Sequence, residues 1–171
     1  GVRKGKRTIK NYLAGALQPV GQALYVWGGG WNDATRKGVS PMWKQWYNSQ
    51  DSSYDYEYHK FEREKGLDCS GFVGWAAYQV MHSKSGEGSG YTVVASEVCE
   101  DYASNGWGKL ISKAELKNSG YRLQAGDVGC NLGHTWIVLG QCADKSAVIV
   151  HSTPNAGCQI SGTPTPDGSS S

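Results

Sequence analysis

Cys69 stands in the string Leu67-Asp68-Cys69-Ser70-Gly71-Phe72-Val73, between two small polar residues. Phe72, Val73, Trp75, Ala76 and Val80 follow at helical spacing, which predicts a loop feeding a helix with the thiol at its N-terminus. Backbone N–H groups and the helix dipole favour an anion there, so the thiol is expected to have a lowered pKa. Asp68 reads either as the N-cap or as a carboxylate facing a ligand. A lone cysteine is also a common small core residue, so partners have to decide between nucleophile and filler.

Four histidines are candidates. His59 falls in an aromatic loop and His82 at the end of the Cys69 helix, and both read as surface residues. His134 opens the strand pattern His134-Thr135-Trp136-Ile137-Val138-Leu139, and His151 closes Val148-Ile149-Val150-His151. If these strands pair antiparallel through a turn near Asp144, the two histidines are neighbours at one end of a sheet. A thiol nucleophile, a base and a group that orients the base make a triad, recognised by roles rather than by order. Cys69 would attack, and His134 would take the thiol proton or hold it as an ion pair. His151 would fix the His134 tautomer.

The elements that must position these groups are readable in outline. A helix is predicted from Thr8, with Ile9, Leu13, Ala16, Leu17 and Val20 on its inner face and Pro19 breaking it. Gly28, Gly29 and Gly30 mark a sharp turn. The stretch 31–66 carries Trp31, Trp43, Trp46, Tyr47, Tyr54, Tyr56, Tyr58 and Phe61 without a clean period. A loop of that length is uncommon unless functional or internally structured. Its rings would pack down as a small satellite core, or else stack on sugar or peptide. Met42 to Asn48 reads as a short helix and Ser83 to Gly90 as a Gly/Ser-rich loop. Val94 to Ser104 is a further helix, and Ser112-x-x-Glu115 a capping box. Strands follow over Val128 to Leu132, Thr135 to Gln141 and Ala147 to Val150, with a fourth through Cys158 to Ser161. From Gly162 the chain is Pro, Thr, Gly and Ser, read as a linker or frayed end. Helices first and an antiparallel meander second make the fold class α+β.

At 171 residues, 39% hydrophobic and 19% charged, the chain is long enough for one domain with a real core. A net charge of +2 gives no case for nucleic-acid binding, and no stretch is apolar enough to span a membrane. Gly1 to Arg7 lacks a following apolar core and so does not read as a signal peptide; the chain reads as a mature protein or an excised domain. The five cysteines, Cys69, Cys99, Cys130, Cys142 and Cys158, show no C-x-x-C pair. Their odd number leaves at least one unpaired in a monomer, and Cys99 reads as core.

Taken together, Tyr25-Val26-Trp27-Gly28-Gly29, Asp68-Cys69-Ser70-Gly71-Phe72-Val73, Ala125-Gly126-Asp127, Gly133-His134 and the strand ending His151-Ser152 resemble the NlpC/P60 cysteine peptidases. The resemblance implies a papain-like fold with N-terminal helices packed on an antiparallel sheet. It implies a catalytic domain over 1–162, with the aromatic stretch 31–66 as an insertion and 163–171 as a flexible tail. It makes Cys69 the nucleophile, His134 the base and His151 the third polar residue. Tyr25, Asp68, Ser70 and Gly133 become substrate-binding, with Asp68 and Ser70 meeting the free amine of a stem peptide. The expected partner is bacterial peptidoglycan peptide, cut between D-γ-glutamyl and the diamino acid by a secreted or wall-associated monomer that needs no cofactor or metal. Amidase action at the sugar–peptide junction and cross-bridge cleavage are alternatives in the same chemistry. A zinc protein using Cys69, His134 and His151 as ligands, and an inactive wall-binding module, are alternatives of other classes. The long aromatic insertion and the four extra cysteines depart from the family pattern.

Overall fold

The computed structural model describes residues 6–82 and 90–169. Five helices precede a four-stranded sheet: α1 (Ile9–Leu17), α2 (Pro41–Ser49), α3 (Cys69–Met81), α4 (Val98–Ser104) and α5 (Lys113–Asn118), then β1 (Val128–Cys130), β2 (Thr135–Gln141), β3 (Ala147–Thr153) and β4 (Gly157–Gly162). The sheet is an antiparallel meander in the order β1-β2-β3-β4. The predicted α+β class and its helix-then-sheet order are therefore observed. The loop expected at Ser83 to Gly90 lies, apart from Gly90, outside the described residues. No helix among the described residues is long and apolar enough to cross a membrane.

α3 is the axis of the molecule. Its residues are apolar on every side, and Phe72, Val73, Trp75 and Ala76 are wholly buried; a helix of that kind must be surrounded. It packs on α1, β2 and β3. Ile137, Val150 and Cys158 of the sheet join Tyr12 and Ala16 of α1 and Trp43 of α2 in the same core. Each large apolar side chain withdrawn from water there contributes about 1.5–3 kcal/mol. The helix can be enclosed this tightly because two of its contacts are glycine. A Cβ on Gly71 would overlap the Gly29 carbonyl, and one on Gly74 would overlap Thr92.

Two expectations are corrected here. Of the expected inner face, Ala16 is buried and Leu13 and Val20 pack against the core, but Ile9 and Leu17 are 53% and 38% exposed, and Tyr12 and Gly15 are buried in their place. Apolar spacing marks two adjacent stripes on this helix, and α3 covers only the one with the small residues. The tail is not loose where it leaves β4. Thr163 N–H donates to Ala147 O at 2.9 Å and its Oγ1 accepts from Ala147 N–H at 2.9 Å, and Thr165 is buried.

Gly71→Ala is expected to lower stability by about 1–3 kcal/mol through backbone overlap. Gly120→Ala, with open space around it, should stay within about 0.5 kcal/mol. Urea midpoints of the two variants check this.

Candidate active site

Asp68 resolves one choice directly, for it is the N-cap of α3. Its Oδ1 accepts from Gly71 N–H at 2.6 Å and from Ser70 Oγ at 3.2 Å, and its Oδ2 accepts from Gly28 N–H and Trp31 Nε1–H, each at 3.1 Å. A carboxylate has about four acceptor directions, and all are taken from within the chain. Ser70 is likewise turned onto Asp68. Of the two roles open to Asp68, cap and ligand-facing charge, the structure fills the first. Burial pushes its carboxyl up in spite of those four bonds.

Cys69 follows at the first position of the helix and is only 7% exposed. Against the expectation of a lowered pKa, the thiol is pushed up, first by burial and then by the Asp68 charge. The N–H groups of Thr135, Ser70 and Cys69 itself pull the other way and do not prevail. The helix terminus is present, but at this depth withdrawal from water outweighs it.

Tyr25 is brought to the thiol by backbone pairing. Gly21 N–H donates to Cys158 O and Cys158 N–H to Ala23 O, at 3.1 and 3.0 Å. Val26 and Leu67 then bond at 3.4 Å, and Ser152 Oγ–H reaches Leu67 O at 2.7 Å. The segment before the triple glycine is thus clamped between β4 and the chain entering α3. The Tyr25 phenol is raised by burial and then by the nearby Cys69 and Asp68.

The aromatic stretch 31–66 lies beside this site and mostly packs down. Trp43 stands edge-on to Trp75 in the core, and Trp46, Tyr54 and His59 form a cluster capped by Lys65, 4.2 Å above the Trp46 ring. Tyr56 packs edge-on against Tyr25, and Tyr54 Oη–H donates to Tyr25 O at 2.7 Å. Tyr58 and Phe61 remain 84% and 64% exposed.

The sheet supplies the other half. Asn131 Oδ1 accepts from the N–H groups of Gly133 and His134, at 3.0 and 2.8 Å, and Asn131 N–H donates to His134 O at 2.9 Å. This closes the β1–β2 hairpin and sets His134 immediately before β2; the Gly133 amide is used up in the turn. Ile137 pairs with Val150, so by the same register Trp136 stands opposite His151 and His134 is their diagonal neighbour on one face. His134 Nε2 and His151 Nδ1 lie 2.7 Å apart. The Trp136 ring stacks on His134 with centroids 5.8 Å apart. His151 Nε2 meets Ser161 Oγ at 2.8 Å and Gln159 Nε2 at 3.2 Å. Burial lowers His134; burial and then its neighbour His134 bring His151 down to about 4.

Three predicted residues, Cys69, His134 and His151, therefore converge on the end of the sheet, with Thr135 as the link between thiol and histidines. No hydrogen bond joins the Cys69 thiol to the His134 ring among the described residues; such bonds tighten when a ligand closes the site. His59 and His82 lie elsewhere. Cys99 Sγ sits on Val128 O at 3.4 Å and faces Cys130, Cys158 is in the core, and Cys142 is exposed. No group of three His, Cys, Asp or Glu side chains among the described residues is arranged to hold a metal. Trp31, Tyr54 and Tyr56 were anticipated only as rings of the aromatic stretch, and Trp136, Gln159 and Ser161 only as strand residues. For Gln159 and Ser161 a signal existed: they alternate along the fourth strand and extend the meander register from His151. No protein-family model, curated protein or solved structure matches this chain.

His151 titrates near 4 in the fold and at its ordinary 6.5 when unfolded, so the unfolded chain takes up the proton first. The stability tied to this neutral ring is present above about pH 6.5 and is lost as pH falls toward 4. His151→Asn should flatten that part of the curve, as read from urea midpoints taken at intervals between about pH 7 and pH 4.

Proposed function

We propose that this chain is a cysteine peptidase of the NlpC/P60 type, with a papain-like arrangement of α3 against the sheet, acting on bacterial peptidoglycan stem peptides at the D-γ-glutamyl–diamino acid bond. The observation that carries the reading is the 2.7 Å pair of His134 Nε2 and His151 Nδ1, held on the strand whose Thr135 N–H points at the Cys69 thiol. The choice of substrate follows from the motif resemblance. A groove of about 1980 Å3 is lined in part by His134, His151 and Trp136, on the side of the histidine pair away from Cys69 and Tyr25, which are not among its lining residues. A wall substrate places the protein outside the cell or in the wall.

The electrostatics favour one version of the chemistry. With the thiol pushed up and His134 pushed down, the resting pair is neutral rather than an ion pair. His134 Nε2 is engaged by His151, so Nδ1 is the nitrogen that receives the proton as Cys69 Sγ attacks the peptide carbonyl. The N–H of Cys69 stabilises the developing oxyanion. Collapse breaks the C–N bond, and the leaving amine takes the proton from His134. Water, deprotonated by His134, then attacks the thioester, and the acid and free thiol are restored. Tyr25 flanks the thiol as a neutral phenol and is a contact for the bound peptide. Asp68, with its acceptors filled, shapes the loop on which that peptide lies.

Mass spectrometry of purified muropeptides after incubation checks this. Cleavage between D-glutamate and the diamino acid is expected; free lactyl-sugar product would indicate an amidase, and cleaved cross-bridges a bridge endopeptidase. Thiol alkylation should abolish turnover and a chelator should not. Labelling speed alone does not identify the nucleophile, since Cys142 is exposed. A background in which Cys99, Cys130 and Cys142 are all serine isolates Cys69, since Cys158 is in the core. His134→Ala should reduce kcat by about 10²–10⁴, and cleavage persisting in Cys69→Ala would overturn the reading.

A further inference from the structure

His151 has a second ring nitrogen, and what surrounds it decides what the first can do. The side chains of Gln159 and Ser161 both converge on Nε2, at 3.2 and 2.8 Å. Gln159 is paired directly with His151 across β3 and β4, and Ser161, paired with Ile149, is its diagonal neighbour on the same face. His151 is neutral near pH 7 because its ring titrates near 4. It therefore carries one proton on one of its two nitrogens.

Only one proton fits in the 2.7 Å gap between His134 Nε2 and His151 Nδ1, and this gives two self-consistent arrangements. In the first, His151 carries its proton on Nε2 and donates it to the Ser161 hydroxyl oxygen and to Gln159 turned oxygen-inwards. His151 Nδ1 then accepts from His134 Nε2–H, and His134 Nδ1 is left with a free lone pair. In the second, Gln159 is turned nitrogen-inwards and donates with the Ser161 hydroxyl to His151 Nε2. His151 Nδ1–H then points at His134 Nε2, and the His134 proton must sit on Nδ1. A base protonated there cannot accept a proton from a thiol. A serine hydroxyl suits either arrangement, whereas a glutamine amide must rotate by half a turn to pass between them.

We propose that Gln159 and Ser161 are positioning residues that select the His151 tautomer and, through it, whether His134 Nδ1 is free to act as the base. The proposal deepens the peptidase reading and rests on it for its effect on rate, but the tautomer itself is read without substrate. Long-range ¹H–¹⁵N spectra of histidine-labelled protein near pH 7 distinguish a protonated from an unprotonated ring nitrogen in each histidine. They can be recorded on Cys69→Ala as well as on the active chain.

Ser161→Ala removes the acceptor that serves the first arrangement and leaves the Gln159 amide. The proton population should move toward His151 Nδ1, and kcat should fall by about 10–100-fold with KM unchanged. Gln159→Glu presents only oxygens. Placed in the Ser161→Ala background it should return the proton to His151 Nε2 and recover most of kcat. Ser161→Thr, which keeps the hydroxyl, should behave as the parent. Ring-nitrogen shifts of both histidines that stay at parental values in Ser161→Ala and in the double variant would overturn the proposal. So would a shifted tautomer in Ser161→Ala with an unaltered kcat. If the spectra shift as described and no variant or parent hydrolyses any muropeptide, the tautomer selection stands and the peptidase reading falls.

Discussion

A single buried carboxylate ties the Cys69 half of this protein together. Asp68 accepts from the helix it caps, from the glycine turn at Gly28 and from the indole of Trp31. Two segments some forty residues apart, the turn over 28–31 and the start of α3, are thereby fixed to one pair of oxygens. An anion withdrawn from water is costly without partners, and here each acceptor direction has one. The close approach of Gly29 to Gly71 belongs to the same constraint, since the turn and the helix can meet at the carboxylate only without side chains between them. The position of Cys69 follows from this knot.

The same carboxylate works against the thiol it positions. A helix N-terminus favours a thiolate, whereas burial and an adjacent negative charge disfavour it, and the latter prevail. The histidine side is biased in the complementary direction, toward neutral rings. The two halves therefore meet as uncharged partners, each held by hydrogen bonds that depend on direction more than on charge. That explains why the surroundings of His151 matter. Where no ion pair aligns the rings, the donors and acceptors around them do so.

The parts of this arrangement that were readable in advance are those written locally. Asp68 before an apolar run, Ser112 ahead of Glu115, and alternation broken by turn residues are signals spanning a few residues, and the helices and strands stand where they put them. His134 and His151 could be paired because a meander has only one simple register. What escaped the sequence depends on which surfaces meet. Ile9 and Leu17 satisfy a helical stripe as well as Tyr12 and Gly15 do, and only the packing of α3 chooses between them. Trp31 reaches Asp68 across a turn whose path no spacing reveals. The thiol's environment was misjudged for a similar reason: a helix terminus shows in a sequence, but the depth at which it is buried does not.

The clamp in which the Gly21–Ala23 segment bonds to Cys158, and Ser152 to Leu67, has a consequence for the order in which the chain is made. Everything that carries the thiol is complete by Met81, and everything that carries the histidines lies beyond Val128. A chain extended from its N-terminus thus holds its cysteine for many residues before any histidine partner of the pair exists. Tyr25 in turn is not locked until β4 arrives to grip the segment before it. The two halves of the site are contiguous blocks of sequence, and β4, the last strand along the chain, is the one that bonds to the segment before Tyr25.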